Sequence, residues 1–175
     1  AEVLETLGYP EERIELAKIA GYMHDIGNVV NRNDHAQTGA VMAFRILDNL
    51  GMMVEDIATI VTAIGNHDDS TAYPVNAITA ALILADKTDV RRSRVTNKDR
   101  TTFDIHDRVN FAAVQNSVNL DTEAKTFTLK IVIDTEICSV MDYFEIFLER
   151  MILCKKAAKK LGLEFRLIIN DLSVI

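Results

Sequence analysis

Apolar residues recur at three- and four-residue steps through the first two-thirds of the chain, the period of helices with one buried face. In YPEERIELAKIAGYMHDIG, residues 9–27, they fall at Ile14, Ala17, Ala20 and Met23, with Pro10 near the first helical position and acids in the first turn. In NDHAQTGAVMAFRILDNLG, residues 33–51, Asp34 and Gln37 have the spacing of a capping box, and Gly51 marks the stop. VEDIATIVTAIGNHDD places Ile57, Ile60, Val61 and Ile64 on one stripe, and PVNAITAALILADKTDVRR is apolar on nearly all sides, as a central buried helix is. The opening AEVLETLGY reads as the tail of a helix, so a segment upstream of Ala1 is expected.

Beyond residue 115 the period changes. KTFTLKIVID alternates, with Phe127, Leu129, Ile131 and Ile133 on one face, and NSVNLD can pair with it through the DTEAK turn. Residues 139–161 return to a helical stripe of Val140, Phe144, Phe147, Leu148 and Met151. Lys155, Lys156, Lys159 and Lys160 lie in its last turns, where the helix dipole favours cations, and Gly162 ends it. LEFRLIIND is a final strand. The expected architecture is α+β and mainly α: a helical body over residues 1–115 and a small β-β-α-β appendage over 116–175.

Composition narrows the function. With 175 residues, 49% hydrophobic, the chain can bury one sizeable core. A net charge of -7 argues against a general nucleic-acid surface, which needs clustered Lys and Arg, but leaves small anionic substrates open. Cys138 and Cys154 lack a C-x-x-C spacing and read as reduced thiols of a cytoplasmic protein. The apolar run AALILA is too short to span a bilayer, so no membrane partner is expected.

The chemistry lies where the apolar stripes end. Leu16, Ala20 and Met23 lead to His24, with Asp25 beside it; Ile64 leads to His67 and Asp68; Ile78, Leu82 and Ala85 lead to Asp86 and Asp89; His35 opens a helix. A carboxylate on a buried face is costly unless a cation or donor compensates it. A His/carboxylate cluster suits a divalent ion such as Mn, Fe, Co, Ni, Zn or Mg. Plainer roles are open to the same residues: Asp86 could pair with a neighbouring Arg, His35 could decorate a helix start, and His67 could be a satisfied core imidazole. Asp68 and Asp69 suit a solvated helix end, and His106 in FDIHDRVNFA reads as structural. The methionines at 23, 42, 52 and 53 are core filling.

HDIGN, DHAQTGAVMA, IGNHDD and LADKTDVRRSR, taken in order, resemble the HD superfamily of metal-dependent phosphohydrolases over roughly residues 1–115. The resemblance implies that His24 and Asp25 are the signature pair, that Asp86 closes the first metal site, and that His35 and His67 complete a second with Asp25 bridging. It implies one or two divalent ions and hydrolysis of a phosphoester, in a nucleotide or other small phosphorylated substrate, by metal-activated water. Lys87, Arg91 and Arg94, with Asn28 in place of the Lys that often follows HDIG, are the candidate substrate contacts. The three basic residues could equally serve as partners for Asp89 and Asp99. Asp68 is a candidate for proton transfer. The family's first His belongs to a helix ahead of this segment, which is the upstream segment expected above. The competing expectation is a non-catalytic regulatory module with a depleted metal site, dimerising through its C-terminal unit.

Overall fold

The computed structural model describes residues 1–68 and 72–174. Asp69, assigned above to a solvated helix end, lies outside them. Helices come first: α1 Glu2–Thr6, α2 Glu11–Met23, a 3₁₀ turn at Ile26–Val29, α3 His35–Asn49, α4 Val54–Gly65 and α5 Ala77–Lys87. Two further 3₁₀ turns, Arg92–Arg94 and Arg100–Thr102, lead to α6 Ile105–Ala112. Then follow β1 Ala113–Asp121, β2 Thr126–Ile133, α7 Val140–Lys160, β3 Glu164–Ile169 and the short β4 Leu172–Ser173. The expected mainly helical α+β architecture holds, with β1 beginning at residue 113 and β4 as an added strand. Among the described residues no helix is long and apolar enough to cross a membrane.

The chain forms two compact units, one of residues 1–85 with 156–162 and the other of 86–155 with 163–175. In the first, α3 packs along α4 and against the 3₁₀ turn at 26–29, while α2 packs on α4 and α1. The stripe residues Ile14, Ala17, Ala20 and Met23 of α2 and Ile57, Ile60 and Ile64 of α4 are all buried, as their spacing requires. α5 is the apolar helix expected, with Ile78 to Leu84 all buried.

Asp34 does not form the capping box. Its φ of 57° is left-handed, and its side chain makes no cap hydrogen bond. Gln37 reaches instead to the Gly65 carbonyl at 3.4 Å. An Asp tolerates this conformation better than most residues.

In the second unit the sheet runs β1-β2-β3-β4, antiparallel except for the parallel pair β2–β3 joined through α7. Parallel neighbours need such a crossover. The side chains Phe127, Leu129, Ile131 and Ile133 are buried, as are Phe165, Leu167 and Ile169. On α7 the buried line is Tyr143, Phe147, Met151 and Cys154, whereas Leu148 is 46% exposed. The stripe is therefore rotated from the one the apolar residues alone suggest, because the Tyr143 ring goes inside and its hydroxyl donates to Met151 Sδ at 3.4 Å. His106, expected to be structural, is exposed on α6.

Burial pushes the Tyr143 phenol well above its usual value. Since the folded state resists losing this proton, its stabilising effect is complete below a pH of about 10 and declines as pH rises beyond. Burial shifts the Cys138 thiol in the same direction. Melting temperature is therefore expected to fall steeply above pH ~10, at up to ~1.4 kcal/mol per pH unit for the phenol alone. Tyr143→Phe should flatten that limb; an unchanged alkaline limb would show that the phenol is not its source.

Candidate metal centre

Three imidazoles and one carboxylate converge in the first unit, each delivered by a helix end. His24 follows the last residue of α2, in helical conformation (φ −56°, ψ −35°), so the helix carries it one step beyond Met23. Asp25 leads into the 3₁₀ turn, His35 is the first residue of α3, and His67 lies two residues past α4.

The three histidines are anchored alike. His24 Nδ1 donates to the Gly21 carbonyl at 2.8 Å, His35 Nδ1 to Arg32 at 3.0 Å, and His67 Nδ1 to Ile64 at 2.5 Å. Each acceptor is a carbonyl three residues earlier, and a carbonyl can only accept, which assigns the proton to Nδ1 in all three rings. A ring that carries its proton there alone offers Nε2 as an electron-pair donor. A backbone acceptor behind the distal nitrogen is what orients a metal-ligating imidazole.

The Nε2 atoms meet around Asp25. Its Oδ2 lies 3.5 Å from His24 Nε2, and its Oδ1 lies 3.2 Å from His35 Nε2. His35 Nε2 and His67 Nε2 are 3.3 Å apart, and the His67 ring stands edge-on to the other two, with centroids 5.0 and 5.2 Å away. The donor atoms of His24, Asp25 and His67 all lie within 4.8 Å of one another. His35 and His67 are each 1% exposed, and the Asp25 side chain is 49% exposed. Two buried imidazole nitrogens at this distance need a proton or a cation between them, and three imidazoles with a carboxylate are a donor set that fits a divalent ion.

Two glycines make the close approach possible. A Cβ on Gly27 would lie 2.0 Å from the His35 carbonyl oxygen and 2.7 Å from the Gly39 nitrogen. The 3₁₀ turn that follows Asp25 is thereby pressed against the first turns of α3, which bears His35.

Arg32 belongs to the site although the sequence does not announce it. Its carbonyl holds His35, and its guanidinium lies 3.8 Å from Asp25 Oδ1 and 3.3 Å from Asn28 Oδ1. It sits in the irregular stretch NVVNRND, where no period marks a face; a cation between two candidate ligands was the available signal. Asn28 is exposed at the same edge, and Asp68 is half-buried directly after His67.

Asp86 and the basic run lie in the second unit. Asp86, 17% exposed, pairs with Lys87 Nζ at 2.8 Å, and Lys87 is itself buried. Arg91 and Arg94 both reach the Asp89 carboxylate, at 2.9 and 3.4 Å. Arg92 donates to the Phe111 carbonyl at 2.6 Å and stacks over that ring. An apolar cleft of about 890 Å³ in the first unit draws its lining from Ile19, Tyr22, Met23, Ile26, Leu47 and Leu50 among others, and includes none of the four converging groups.

The chain matches the family described as HD domain over residues 1–146. It belongs to that family, whose members are typically metal-dependent phosphohydrolases that bind divalent ions. No curated protein and no solved structure matches it.

Proposed function

We propose that the protein hydrolyses a phosphoester of a nucleotide or another small phosphorylated compound. His24, Asp25, His35 and His67 would hold one or two divalent ions. The observation that carries this reading is the common anchoring of three imidazoles, each with Nδ1 on a backbone carbonyl, with Nε2 of His24 and His35 at Asp25 and Nε2 of His67 against that of His35. A bound divalent ion supplies Lewis acidity, acidifying water and offsetting charge on phosphoryl oxygens. Asp25 presents one oxygen to His24 and the other to His35, the division a bridging carboxylate needs. The two deeply buried imidazoles exclude water behind the centre, while the more exposed Asp25 leaves the front open to substrate. At that front Arg32 and Asn28 are placed to receive a phosphoryl oxygen. Asp68 is this proposal's candidate for moving a proton. A cytoplasmic location, which two buried thiols suit, and self-association through the exposed edge strand β1 are part of the same reading.

A second reading is a regulatory HD module with a depleted centre. The Asp86–Lys87 pair favours it, since that ammonium competes for the carboxylate. One experiment separates the two. Protein stripped by a chelator and dialysed should lose hydrolysis across a panel of phosphomonoesters and nucleotides, and Mn, Fe, Co, Ni, Zn or Mg should restore it. Tight metal binding with no turnover on any substrate would favour the regulatory module. Turnover that survives stripping would remove the metal from the reaction.

A further inference from the structure

The four lysines near the end of α7 have no part in the metal centre, and three of them share a cleft. Lys156, Lys159 and Lys160 line a cavity of about 260 Å³ whose opposite wall is Tyr73 and Pro74, all within the first unit. Of the six other lysines of this acidic protein, three sit against carboxylates: Lys18 on Glu15, Lys87 on Asp86 and Lys130 on Asp171. Among the described residues none of the three in the cleft has an acidic partner within ion-pair distance.

The helix dipole accounts for cations in the last turn, at Lys159 and Lys160, but Lys156 lies a turn earlier. Spacings of three and four residues place all three ammoniums as neighbours on one helix face, where like charges repel. Such a grouping is favourable when an anion of several charges lies among them. Lysine recognises phosphoryl groups as a point charge, without the planar fork that suits Arg to a carboxylate.

We propose that this cleft binds a small oligophosphate, a chain of two or more linked phosphoryl groups. Three cations call for an anion with about three charges, which a single phosphoryl group does not carry at neutral pH. The cleft also adjoins the metal centre along the chain: the Tyr73 amide donates to the Asn66 carbonyl at 3.2 Å, and Asn66 precedes His67. If the phosphohydrolase reading holds, a substrate that occupies the cleft is held by a backbone bridge to a ligand-bearing turn. Binding itself does not depend on that reading.

Inorganic triphosphate, pyrophosphate and orthophosphate, titrated calorimetrically into metal-free full chain, test the assignment. Triphosphate is expected to bind most tightly, and added salt should weaken it. The triple variant Lys156→Gln/Lys159→Gln/Lys160→Gln should lose at least tenfold in affinity while melting with the wild type, since Gln and Lys have similar helix propensities. Asp25→Ala should bind triphosphate as the wild type does, so loss of hydrolysis in that variant bears only on the metal centre. Absence of triphosphate binding, equal affinity for orthophosphate, or unchanged affinity in the triple variant would each overturn the proposal.

Discussion

Asp25→Ala is expected to lose bound divalent metal and hydrolysis together. Its two oxygens are the groups that meet both His24 and His35, at 3.5 and 3.2 Å, so alanine removes the one anion common to the cluster. Partners that merely orient a metal ligand typically contribute ~10–100-fold to metal affinity or activity; a ligand shared between imidazoles should exceed that range. The fold should survive, because the side chain is half-exposed. Without the carboxylate, Arg32 faces the imidazoles with no opposing charge, which further disfavours a cation there. Metal content by elemental analysis and initial rates on the best substrate of the panel supply the two readouts. A variant that keeps its metal and turns over normally would place the reaction elsewhere; one that keeps metal but loses turnover would make Asp25 a proton-handling group only.

Three of the four converging residues were legible because they stand where helical stripes end or a helix begins. His24 follows Ala20 by four residues and is still helical, so the period that buries the apolar positions carries it inward; His67 lies past the end of α4, where the stripe pointed to it but the chain has left the helix. His35 was visible only as a polar residue opening a helix; what commits it is a tertiary contact, the approach of the turn after Asp25. That same approach explains why the capping-box pattern at Asp34 misleads. Asp34, directly before His35, is left-handed and makes no side-chain cap bond, so tertiary geometry here overrides the local preference. Arg32 escaped notice for the complementary reason, since a loop has no period to read.

In the second unit, strand alternation located β2 and β3 because one face is dry, whereas the α7 stripe is rotated from the expected one because Tyr143 is buried. The partner of Asp86 was equally hidden. Residues i and i+1 do not face each other within a helix, so Lys87 was an improbable partner on spacing alone. Both residues stand in the last turn of α5, with Lys87 Nζ 2.8 Å from Asp86 Oδ2.

The severest structural effect is expected at a residue with no side chain. In Gly27→Ala the new methyl would sit 2.0 Å from the His35 carbonyl oxygen, 2.8 Å from the His35 carbonyl carbon and 2.7 Å from the Gly39 nitrogen. All three obstacles are backbone of α3, so no rotamer change can make room. The turn at 26–29 and α3 have to separate, which moves Asp25 away from His35. Overpacking usually costs ~1–3 kcal/mol; a clash with main chain should reach or pass the upper end, lowering the melting temperature by roughly 10 °C. Misplacing a ligand by ~1 Å costs on the order of 10²-fold in rate, so residual folded protein should also be nearly inactive. Gly21→Ala is the contrasting substitution. Its Cβ meets nothing within 4 Å, and it lies inside α2, where alanine gains about 0.5–1 kcal/mol of helix stability over glycine. Thermal melts of the two variants should therefore move in opposite directions from the wild type. If Gly27→Ala melts with the wild type and retains its metal, the turn does not depend on close backbone contact with α3, and the geometry assigned to Asp25 and His35 loses its physical basis.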